Sequence, residues 1–105
     1  MPGQRTRLIN DIHSLLALEP TRTSLGHVED TLTTGYAHAL ALEVEQLRLK
    51  RRLLKLAAEP ESRRGRASEA KELAGVLAGI ETELHQLRLV LVSLRDRARE
   101  LRAAA

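Results

Sequence analysis

The chain has 105 residues, 43% of them hydrophobic and 30% charged, with a single Tyr and no Phe, Trp or Cys. Without cysteine there is no disulfide framework, thiol nucleophile or thiolate metal site, and the apolar content is aliphatic, which suits helices packed along seams better than a walled enzyme pocket. Seventeen basic residues against fourteen acidic ones give a net charge of +3, which permits an acidic partner without requiring one.

The first predicted element is a helix over 4–19, where Leu8, Ile12, Leu15 and Leu16 recur at helical spacing beside Ile9, with Pro20 as its stop. A polar joint follows at 21–23, and Thr23 or Ser24 is placed to cap a second helix over 24–59, ahead of Pro60. Loop signals fill 60–68, and Ser68 is the expected cap of a third helix over 69–102. The whole chain reads as one all-α domain. No apolar stretch approaches the roughly 18 residues that a membrane span requires. The N-terminal region lacks the apolar core of a signal peptide, so a cytoplasmic protein without a membrane segment is expected.

The long helices share a heptad pattern. Leu25, Val28, Leu32, Gly35, Ala39, Leu42, Gln46, Leu49, Leu53 and Leu56 alternate three and four apart on the second helix. Ala70, Leu73, Leu77, Ile80, Leu84, Leu87, Leu91, Leu94, Ala98 and Leu101 do so on the third. This predicts an antiparallel coiled-coil hairpin with Leu25 opposite Leu101, Leu42 opposite Leu84 and Leu56 opposite Ala70, and with small residues facing large ones, as in Gly35 with Leu91. Gln46, opposite Ile80, is the polar intruder and is expected to set register.

The two flanks of such a hairpin differ. One carries His38, Glu45, Arg48, Arg52 and Lys55 with Glu83 and Arg97, interrupted by Val76 and Val90, and reads as solvated. The other carries Tyr36, Leu40, Leu47, Leu54 and Ala57, with Ala74, Ala78 and Val92 across the seam. The short first helix is expected to cover the part of this second flank near Tyr36, Leu40 and Val92. Tyr36, Leu40, Leu47, Leu54, Ala74 and Ala78 then form a face for a partner, and the expected partner is a second copy of the chain.

Chemistry is sparse. Glu43 and Glu81, with His85 one turn beyond Glu81, are the candidates for a metal site. Their spacing departs from the Glu-x-x-His of di-metal bundles, and Lys50 and Arg88 stand near enough to neutralise the carboxylates, so ion pairing is expected in place of metal. No cofactor, glycine-rich phosphate loop or serine–histidine–acid arrangement is legible, and a non-enzymatic role follows. Arg48, Arg51, Arg52, Arg63, Arg64 and Arg66 make the hairpin tip basic, a candidate contact for a polyanion through its phosphate backbone, since no aromatic side chain is present there to stack on bases. Nucleic acid binding is thus the alternative to a protein-interaction module.

The stretch from Leu32 to Glu45, with Gly35, Tyr36, Leu40, Leu42 and Glu43, followed by Leu53 and Leu54, resembles a helix of the flagellar export chaperones. That resemblance implies a small antiparallel helical protein offering an apolar helix flank to a protein client; Tyr36 stands where that family tends to have Asp, and no functional residue carries over.

Overall fold

The computed structural model describes residues 2–19, 22–58 and 63–105, with side chains described from residue 7 in the first helix and residue 65 in the third. Three helices follow in order: α1 (Pro2–Ala17), α2 (Leu25–Ala58) and α3 (Arg63–Ala104). The expectations for Pro20, Pro60 and the residues at 59–62 fall outside the described residues. Ser24 caps α2 as expected: its Oγ accepts from the His27 amide at 3.4 Å and its carbonyl accepts the Val28 amide at 3.0 Å, satisfying donors that a helix start leaves free.

α3 begins earlier than the sequence suggested, at Arg63 and not near Glu69. Ser68 is therefore an internal helical residue and no cap. Gly65 costs a helix only about 1 kcal/mol relative to Ala, and the Arg- and Ala-rich turn around it has enough propensity to continue. The early turn is also tied across the hairpin, because Arg52 Nη2 of α2 reaches Glu69 Oε1 at 2.6 Å.

α2 and α3 pack antiparallel along the expected seam. Leu42, Leu84, Leu87, Leu94 and Val28 are almost fully buried, and Leu32, Ala39, Ile80, Leu91 and Ala98 join them in one core cluster. Gly35 meets Leu91, as the register required: a Cβ built on Gly35 would overlap the Leu91 side chain. The molecule measures 63 × 20 × 15 Å, the long axis matching the hairpin.

The position of α1 corrects the sequence reading. It lies against the Val90 flank and not against Tyr36, Leu40 and Val92, which stay 49%, 61% and 46% exposed, whereas Val90 is 7% exposed. Leu8, Ile12 and Leu15 insert into the core cluster with Val28, Leu32 and Val90. Arg97 of α3 then closes the end of α1, its Nη1 donating to the Leu18 carbonyl at 2.8 Å and its Nη2 to the Leu16 carbonyl at 3.0 Å. The last turn of α1 holds no basic residue of its own, so a guanidinium from another helix satisfies carbonyls that a helix end leaves unpaired. The flank α1 avoids carries ion pairs at the same level, Glu29 with Arg102 at 2.9 Å and Glu43 with Arg88 at 2.8 Å. Covering those pairs with a helix would desolvate them at a cost that their attraction does not return. The Val90 flank offers Thr31 and Val90 instead, short side chains that leave room for a helix.

The molecule thus has two halves of unequal thickness. Where α1 lies, three helices enclose a dry core. Toward the tip there are only two, and the seam residues Leu49, Leu53, Leu73 and Leu77 are merely half-buried.

Candidate interaction surface

The charged residues along the seam sort by flank. On the Tyr36 flank, Glu29–Arg102 and Glu43–Arg88 form direct pairs, and Gln46 Nε2 donates to Glu81 Oε2 at 3.2 Å. On the opposite flank Arg52 pairs with Glu69 at 2.6 Å. These pairs are all about half exposed to solvent, so each adds only about 0–1 kcal/mol and serves chiefly to fix the register of α3 against α2.

This arrangement decides where the metal candidates stand. Glu43 faces Arg88, one heptad away from Glu81; Glu81 faces Gln46; and His85 is exposed. The register places Glu81 opposite Lys50, and the two candidate carboxylates are not brought together. Among the described residues no group of three or more His, Asp or Glu side chains is disposed to hold a metal ion.

The basic candidates are also dispersed. Arg52 is bound to Glu69, and Arg48 lies 3.9 Å from Glu45. Arg51 and Lys55 are exposed, whereas Arg66 is half-buried. The side chains of Arg63 and Arg64 fall outside the described residues. Tyr36 is the sole aromatic residue and lies in the half of the hairpin away from the tip, so no stacking platform accompanies the basic tip.

The apolar face stands open in full. Tyr36, Leu40, Leu47 and Leu54 are 49%, 61%, 48% and 72% exposed, and Ala74 and Ala78 are exposed across the seam from the tip half of α2. Because α1 took the other flank, nothing among the described residues covers this face. The sequence reading missed one contributor: Val44, 45% exposed, belongs to the same surface. A groove of about 870 Å³ on its other side, between Ala41, Glu45, Val76, Gly79, Ile80 and Glu83, opens on the Val76 flank instead. The missed signal was a second heptad on α2. Ala37, Leu40, Val44, Leu47, Leu54 and Ala58 follow three–four spacing, broken only by Arg51, and lie on the side of α2 turned away from α3. Gly75 and Gly79 of α3 also face open space, with no atom within 4 Å of a Cβ built on either.

No protein-family model, curated protein or solved structure matches this chain. The likeness to flagellar export chaperones therefore has no support beyond the residues that suggested it. Among the described residues, no helix is long and apolar enough to cross a membrane.

Proposed function

We propose that this protein is a non-enzymatic interaction or scaffold module that works as a homodimer, with Tyr36, Leu40, Leu47, Leu54, Ala74 and Ala78 in the face between copies. The observation that carries this reading is the unequal thickness of the molecule: the tip half is two helices deep, four of its seam leucines (Leu49, Leu53, Leu73 and Leu77) are half-buried, and large apolar side chains stand exposed on the same half. Fully burying a leucine is worth roughly 1.5–3 kcal/mol, so covering these side chains with a second copy supplies a favourable term for association. An exposed apolar surface of this extent on a small domain marks an association site.

The test is sedimentation velocity at micromolar concentration, with a dimer as the expected species. Leu47→Glu should shift the protein toward monomer and leave its helical circular dichroism intact, because Leu47 takes no part in the α2–α3 seam. A wild-type monomer that captures an amphipathic helix would favour the chaperone alternative. The polyanion alternative draws less support from the geometry, since Arg52 and Arg48 already have carboxylate partners.

A further inference from the structure

We infer that the second heptad stripe of α2 is a homotypic helix–helix contact in which two copies pack α2 against α2 in antiparallel orientation, about a two-fold axis passing between residues 45 and 46. This rests on the proposed homodimer and narrows its face to α2, leaving Ala74 and Ala78 of α3 outside the contact. A stripe at three–four spacing is complementary to another helix of the same period, and a second copy brings one.

The antiparallel alignment matches the residues. It sets Leu47 of each copy against Val44 of the other on either side of the axis, and Leu54 against the small Ala37. Arg51 falls opposite Leu40, where its aliphatic stem can lie over the leucine while the guanidinium reaches water. A parallel alignment would instead place the two Arg51 side chains against each other. Sliding the antiparallel pair by one heptad puts Leu54 against Asp30 in one direction, and in the other moves Arg51 onto Leu47 near the centre.

Charge is self-complementary in the same alignment. The axis brings Glu43 near its symmetry mate on one side of the contact and Arg48 near its mate on the other. Glu43 already holds Arg88 at 2.8 Å and Arg48 lies 3.9 Å from Glu45, so each meeting assembles two positive and two negative groups into a neutral four-membered cluster. Tyr36 comes beside Lys50 of the second copy, a cation–π arrangement. α1, held on the Val90 flank by Arg97, leaves the stripe free.

The experiment uses the full chain, whose lack of cysteine makes single-cysteine variants unambiguous, and a short bis-maleimide cross-linker. Arg48→Cys should cross-link to itself. Leu54→Cys and Ala37→Cys should each fail alone, their symmetry mates lying ~25 Å apart at 1.5 Å per residue, and should cross-link when mixed. Self-cross-linking of Leu54→Cys would establish a parallel pair and overturn the inference. A dimer by sedimentation that yields none of these cross-links would overturn it too, while leaving the proposed homodimer standing; a monomer at all concentrations up to about 100 times micromolar would remove both.

Discussion

Replacing Arg97 by Met tests the least expected feature of the fold, the closure of α1 by a guanidinium from α3. The Arg97 side chain is only 15% exposed, and its two nitrogens satisfy the Leu16 and Leu18 carbonyls. Met retains much of the aliphatic stem but neither donor. A hydrogen bond involving a charged group contributes about 1.5–3 kcal/mol, and the partial exposure of this end places the pair of bonds at roughly 2–3 kcal/mol together. For a domain of this size each kcal/mol moves the melting temperature by about 4–8 °C, so a fall of roughly 10–20 °C is expected. The damage should be local at first. α1 has 16 residues, near the length below which an isolated helix is marginal in water, so a weakened anchor should free it before the hairpin opens. Hydrogen exchange should show α1 amides losing protection while the amides around Leu42 and Leu84 keep theirs. A melting temperature within 2 °C of wild type, with α1 still protected, would refute the capping argument. Arg97→Lys should recover only part of the loss, since a single ammonium cannot reproduce the fork that spans two carbonyls.

Three further outcomes follow from the same geometry. Gly35→Ala should destabilise by about 1–3 kcal/mol through the clash with Leu91, whereas Gly75→Ala and Gly79→Ala, facing open space, should each stabilise by about 0.5–1 kcal/mol; equal effects at all three, measured by urea denaturation, would contradict the packing at Gly35. Chelator should leave the melting curve unchanged and Glu43→Gln should cost under about 1 kcal/mol, as befits an exposed ion pair; a stability loss reversed by a divalent metal would overturn the assignment of Glu43 to Arg88. Heparin retention, if any, should vanish at modest salt and depend on Arg51 and Lys55 more than on Arg52, because Arg52 is held by Glu69; equal dependence on Arg52, read from elution salt of the Gln variants, would reopen the polyanion reading.

The hairpin is legible in the heptads alone. Heptad spacing names the residues of the seam, and with both series side by side, matching small to large pins the register, which is why the pairing of Gly35 with Leu91, or of Leu42 with Leu84, is legible in the residues alone. Ser24 was legible as a cap because its chemistry acts within one turn. The choice between flanks, by contrast, is set by contacts between helices. Periodicity shows that α1 has one apolar face, but not which side of the hairpin receives it. That choice turns on side chains beside the seam: Glu29–Arg102 and Glu43–Arg88 occupy one flank at the level of α1, while the other offers the short Thr31 and Val90, with Arg97 positioned to close the end of α1. Those contributions come from residues some 80 positions apart in the chain, as Arg97 and Leu16 are, and no local pattern encodes them. The same choice leaves the second heptad of α2 uncovered, because a helix of 16 residues can fill one groove of a two-helix hairpin and must leave the other open.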